Sequence, residues 1–141
     1  MKSYSLNTRE KTIMELLWSS DTGLTSIEML NKLDDADWNK LNIFRTINSL
    51  IDKDLIKVSG FEQYNTQYAR RFTYSITQEE YAARLLEAGG LTFRSLGNIA
   101  MAMIKNDGDE DEDSREELIE SLQEIIDNLK KESSEKNKQE R

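Results

Sequence analysis

The feature that most narrows the fold of this chain is a change of hydrophobic period at Leu55. Before it, apolar residues recur every three or four positions in three stretches: Ile13, Leu16 and Leu17 with Trp18 closing the run, then Ile27, Leu30 and Leu33, then Ile43, Ile47, Leu50 and Ile51, with Leu41 and Phe44 at the edges of the last stripe. After it, Leu55-Ile56-Lys57-Val58-Ser59 alternates, and Phe72, Tyr74 and Ile76 take every second place in a later segment. The longer period turns one face of a helix toward a core, and alternation does the same for a strand. The expectation is three helices followed by a β-hairpin.

Cap residues punctuate the same segments. Asn7 with Glu10, Thr25 with Glu28 and Thr77 with Glu80 each set a side-chain oxygen three residues before a carboxylate that can bond back to the cap, and Ser114 with Glu117 repeats the pattern. Helices are expected over 8–19, from Thr25 to near Asp34, over 38–53, over 77–88 where Gly89-Gly90 ends the run, over 91–105, and from Ser114 to about 131. Leu24 is expected to form a short strand, and a polar loop from Gly60 to Ala69 to join the two longer strands. Three helices and then a hairpin is the order of a winged helix-turn-helix, whose third helix enters the DNA major groove and whose hairpin tip is the wing. The expected fold class is mostly α with a small β-hairpin. Its parts are a winged helix-turn-helix domain over 1–76, a C-terminal helical dimerisation module over 77–131 and a disordered polar tail over 132–141.

Taking Ile47 as the buried centre of the third helix and turning about 100° per residue sets Asn42, Arg45 and Ser49 nearly opposite, with Thr46 and Asn48 on the flanks. Arginine pairs bidentately with guanine, asparagine with adenine, and a threonine methyl touches thymine, so these five are the expected base-reading residues. A solvated helix face is the bland alternative for the same residues. Contacts to the DNA backbone are expected from Asn39 and Lys40 at the start of that helix, from Lys53 at its exit, and from Gln67, Tyr68, Arg70 and Arg71 in the wing.

Near the C-terminus, Leu118, Leu122, Ile125 and Leu129 step by four, three and four, and Ile119 and Ile126 widen the stripe. Such a seam is wider than a lone helix can leave in water, so these residues, with Leu96, Ile99 and Met103 of the preceding segment, are expected to join two copies of the chain, with packing against the chain's own domain as the bland alternative.

The net charge of −8 is uneven: residues 1–75 hold ten cationic and ten acidic residues, residues 76–141 nine and seventeen. The half expected to read DNA is therefore neutral. A competing interpretation, from a different class, has the acidic C-terminal half dock a basic protein partner without DNA. With neither Cys nor His in the sequence, disulfides, thiolate metal sites and the commonest general base are excluded. Glu79/Glu80 and Glu116/Glu117 are adjacent on helices and diverge by about 100°, so they form no acid/base pair. Asn106–Asp113 lacks the glycine and glutamate that a calcium loop places at its sixth and twelfth positions and reads as a solvated linker. No enzyme, cofactor or metal is expected. No stretch approaches about 18 apolar residues, so a soluble, cytoplasmic chain without membrane insertion is expected.

Four segments, LNTREKTIMELLW at 6–18, LTSIEML at 24–30, WNKLNIFRTINSLIDKDLIK at 38–57 and RRFTYSITQEEY at 70–81, resemble the penicillinase-repressor (BlaI/MecI/CopY) family. Leu6, Thr8, Arg9, Glu10, Trp18, Trp38, Lys53, Leu55, Arg70, Phe72 and Tyr74 fit its pattern. The resemblance implies a dimer joined through C-terminal helices that binds a dyad operator and blocks transcription. The chain departs from the family at Asp54, where glycine is usual, and in its longer wing. It has no C-terminal cysteine cluster of the copper-responsive kind. Leu96-Gly97-Asn98-Ile99-Ala100 stands where β-lactam-responsive members carry a cleaved Asn-Phe bond, so the resemblance brings no sensor protease with it.

Overall fold

The computed structural model describes residues 5–106 and 111–139. Elements follow in the order α1 (Thr8–Trp18), β1 (Leu24–Thr25), α2 (Ser26–Lys32), α3 (Lys40–Asp52), β2 (Ile56–Tyr64), β3 (Gln67–Tyr74), α4 (Gln78–Ala88), a 3-10 turn (Phe93–Ser95), α5 (Leu96–Asn106) and α6 (Glu112–Gln139). The chain divides into two compact units, one ending at Thr92 and the other beginning at Phe93.

In the first unit the expected cap pairs form. Asn7 Oδ1 accepts from the Glu10 amide at 2.8 Å while Glu10 Oε1 accepts from the Asn7 amide at 3.0 Å. Thr25 with Glu28 and Thr77 with Glu80 close in the same reciprocal way. Each pair satisfies two amide donors that a helix N-terminus otherwise leaves open. The three helices pack on an antiparallel sheet of order β1-β3-β2, in which Leu24 faces Phe72 and Val58 faces Phe72 from the other side. Ile13, Met14 and Leu17 of α1, Met29 of α2, Ile43, Ile47 and Leu50 of α3, and Leu55, Ile56, Phe72 and Ile76 form the core. Helix α4 is tied to this unit by Trp18, whose indole N–H donates to Ile76 O at 2.9 Å and whose ring lies 5.6 Å from that of Tyr81.

Two local features differ from the sequence expectation. Ile27 is exposed, and Met29 takes the buried place in α2. The span from Gly60 to Ala69 is ladder rather than loop: β2 and β3 stay paired out to Tyr64 and Gln67, with Asn65-Thr66 as the turn and Asn65 in the left-handed region that asparagine tolerates. A bulge at Ser59 lets the strands twist before the wing. Gly23, at φ +78, sits so close to the sheet that a Cβ there would meet Phe72 O at 2.6 Å.

Helix α3 ends in a Schellman motif. The Leu55 amide donates to Leu50 O at 3.0 Å and the Asp54 amide to Ile51 O at 2.9 Å. Asp54 therefore occupies the left-handed C′ position, at φ 59, where glycine is favoured.

In the second unit, α6 starts at Glu112, with Asp111 Oδ1 accepting from the Ser114 amide at 2.6 Å, so Asp111 rather than Ser114 is the cap. That bond to the Ser114 amide holds the Asp111 carboxyl below its ordinary value. The helix also runs on to Gln139, where a disordered tail from 132 was expected. The segment Lys131 to Gln139 holds no Gly or Pro, is rich in Lys and Glu, and places Lys131 with Glu135 and Glu132 with Lys136 at i, i+4, all of which favour helix. Residues 107–110 of the acidic connector and the last two residues of the chain lie outside the described residues.

Candidate nucleic-acid interface

Helix α3 buries Ile43, Thr46, Ile47 and Leu50, an i, i+3, i+4, i+7 set. The centre of that arc falls about 50° from Ile47, toward Thr46, at 100° per residue. The exposed side is rotated by the same amount and carries Leu41, Phe44, Arg45 and Asp52, with Asn48 half-buried beside them.

This rotation redistributes the five expected reading residues. Arg45 is exposed and makes no hydrogen bond or ion pair among the described residues, and Asn48 lies next to it. Thr46 is buried and donates its hydroxyl to Asn42 O at 2.7 Å, so its methyl is in the core and not in a groove. Burial is tolerable because that back-bond satisfies the hydroxyl. Ser49 points toward α1, donating to Glu10 Oε2 at 2.8 Å. Asn42 turns its amide back to Asp37 O at 2.8 Å. Thr46, Ser49 and Asn42 are therefore helix-fixing groups.

The expected backbone contacts separate in the same way. Asn39 caps α3, its side-chain oxygen accepting from the Asn42 amide at 2.8 Å. Lys53 is engaged inside the fold: its ammonium lies 2.9 Å and 2.8 Å from the two oxygens of the Glu10 carboxylate and donates to Ser5 O at 3.1 Å. Burial alone would raise the Glu10 pKa, but Lys53, the Asn7 amide and the Ser49 hydroxyl outweigh it and hold the carboxyl below its ordinary value. Arg71 is also engaged. It donates to Gly23 O at 2.9 Å, lies 3.1 Å from Glu28 and pairs with Glu62, clamping the turn before β1 and the start of α2 to the hairpin. The Thr25 amide foremost, and then Arg71, keep Glu28 below the usual carboxylate range.

Lys40, Gln67, Tyr68 and Arg70 remain exposed. In the wing, Phe61 stands opposite Arg70 and Gln63 opposite Tyr68 on one face of the ladder, and the Arg70 guanidinium lies 5.3 Å from the Phe72 ring centre. Sequence reasoning missed Leu41, Phe44 and Phe61 as surface groups. The i, i+3, i+4, i+7 spacing of 43, 46, 47 and 50 was the available signal for the first two.

Helix α5 has no fully buried residue, with Leu96 and Met103 exposed and Ile99 half-buried. In α6 Leu118, Ile119, Leu122, Ile125, Ile126 and Leu129 are all exposed, 37–58%. Among the described residues no helix is long and apolar enough to cross a membrane.

Three helices, a short strand and a paired wing define the winged helix-turn-helix class. The penicillinase repressor family model matches residues 6–128, and the chain belongs to that family. Fold and family together make it a DNA-binding regulator of transcription. Among solved structures it is similar to a Staphylococcus aureus MarR in complex with salicylate and kanamycin, at 18% identity and TM-score 0.42, covering 89% of this chain and 75% of that one. No curated protein matches the chain.

Proposed function

We propose that the protein is a homodimeric repressor that occupies a palindromic operator, reading bases from the exposed side of α3 and bracing the wing on the backbone. Arg45 and Asn48 are its base-reading side chains, and Lys40, Gln67, Tyr68 and Arg70 its backbone contacts. The dimer forms through Leu118, Leu122, Ile125 and Leu129 of α6 with Leu96, Ile99 and Met103 of α5.

The observation that carries this reading is α6. A 28-residue helix with six apolar side chains exposed along it has a seam to cover, and the family's regulatory role makes a second copy the natural cover. Two-fold pairing then sets two α3 helices against two half-sites about 34 Å apart, one turn of DNA.

Selecting bound fragments from random DNA, together with sedimentation analysis, tests the reading. The expected results are an inverted repeat and a mass twice the 16.4 kDa of the chain. The double variant Leu122→Glu, Ile125→Glu should sediment as a monomer and lose the two-half-site preference. A wild-type monomer at micromolar concentration, or an enriched motif without dyad symmetry, would overturn it.

A further inference from the structure

Two large apolar side chains stand on the very face that carries Arg45. Leu41 is 54% exposed and Phe44 55% exposed, and with Ile27 of α2 they border an open cleft between α2 and α3 that Lys40 also lines. Leu41 and Phe44 are neighbours at i, i+3, as are Leu41 and Arg45 at i, i+4 and Phe44 and Asn48 at i, i+4, so the four form one continuous patch. A recognition helix bearing two exposed apolar groups beside its arginine is built for more than hydrogen bonding.

The major groove offers one apolar group, the thymine C5 methyl. Resting on the DNA-binding reading above, we infer that Leu41 and Phe44 are specificity-determining residues that select thymine through its methyl group, next to the base pair read by Arg45. The patch from Leu41 to Asn48 spans about 10 Å along the helix, roughly three base-pair steps of 3.4 Å. Each half-site therefore carries at least one thymine within one or two steps of the guanine that Arg45 contacts. Thymine is distinguished from cytosine here by shape and hydrophobicity, and from uracil by the methyl alone.

The wild-type protein and the variants Leu41→Ala and Phe44→Ala are titrated with the selected operator and with copies in which each thymine in turn is replaced by deoxyuridine. Both side chains are more than half exposed, so truncation spares the core, and far-UV circular dichroism with a melting curve checks that the variants fold. Burying one methyl is worth about fourfold in affinity. The wild type should lose about fourfold at one or more deoxyuridine positions per half-site, and Leu41→Ala or Phe44→Ala should bind the thymine and uracil forms of that position alike. Operator that tolerates uracil everywhere within twofold overturns this inference and leaves DNA binding standing. A uracil penalty that persists in both variants overturns the assignment to Leu41 and Phe44. Selection that enriches no DNA overturns the repressor reading and this inference together.

Discussion

Replacing Lys53 with methionine tests the buried ion pair that ties the start of α1 to the end of α3. The Glu10 side chain is 2% exposed, and its carboxylate accepts from the Asn7 amide and the Ser49 hydroxyl and meets the Lys53 ammonium through both of its oxygens. In Lys53→Met the stem still packs, but a carboxylate of the same burial keeps only the amide and the hydroxyl. Breaking a buried pair costs about 3–5 kcal/mol. Lys53 is 25% exposed, so part of the pair is already hydrated, and the expected loss near pH 7 is about 2–3 kcal/mol.

The pH dependence carries the sharper prediction. In the wild type the Glu10 pKa is lowered, so its stabilisation is complete above the ordinary carboxylate value and is lost as pH falls through the depressed one. In Lys53→Met burial acts without the ammonium, so the Glu10 pKa rises. The penalty should then be largest near pH 7 and smaller near pH 4, because Glu10 takes up a proton in the folded variant at a higher pH than in the folded wild type. Urea unfolding followed by circular dichroism at the two pH values, at one fixed protein concentration because a dimer's stability depends on it, measures the gap. A loss below about 0.5 kcal/mol, the size of an exposed pair, or a gap equal at both pH values, would refute the reasoning.

Asp54→Gly should raise stability by about 0.5–1 kcal/mol, because glycine adopts the left-handed C′ position without the Cβ penalty; an unchanged or lower denaturation midpoint would count against the Schellman account of that residue. Gly23→Ala should lower stability by more than about 2 kcal/mol, since a positive φ and a 2.6 Å approach to Phe72 O act together, and a wild-type melting temperature would contradict it. Arg45→Ala should cost about 1–3 kcal/mol in operator binding and relax base preference at one position; equal losses on operator and random DNA would remove it from base reading. With Lys40 and Arg70 as the cationic phosphate contacts of each protomer, four in the dimer, the slope of log affinity against log salt should be about −4, and a slope near −10 would mean that other cations meet the phosphates.

What could be read from the sequence was what is local. A cap pair closes between residues three apart, so Asn7 with Glu10 and Thr25 with Glu28 announce themselves. The wing's outer ladder does not, because none of residues 60–64 is fully buried and no apolar face imposes an alternation. Lys53 and Arg71 looked like free cations because their partners Glu10 and Gly23 lie 43 and 48 residues away. Thr46 looked polar and therefore outward, yet its hydroxyl is satisfied one turn back along its own helix, which leaves its apolar part free to pack. That single misplacement rotated the inferred reading face and hid Leu41 and Phe44.

The same long-range pairs settle how a chain of net charge −8 can belong to a family of DNA-binding regulators. The N-terminal 75 residues are neutral on paper, but internal pairing removes Lys53 and Arg71 from the groups that could meet phosphate, together with Glu10, Glu28 and Glu62 on the opposing side. What remains on the proposed DNA face is Lys40, Arg45 and Arg70 against Asp52, a small cationic surplus. Phosphate neutralisation supplies most of nonspecific affinity, so a face this sparsely charged holds random DNA weakly. Discrimination then rests on the short-range contacts of α3, hydrogen bonds from Arg45 and Asn48 and apolar contact from Leu41 and Phe44, which are lost at a wrong base and do not weaken with salt as phosphate contacts do.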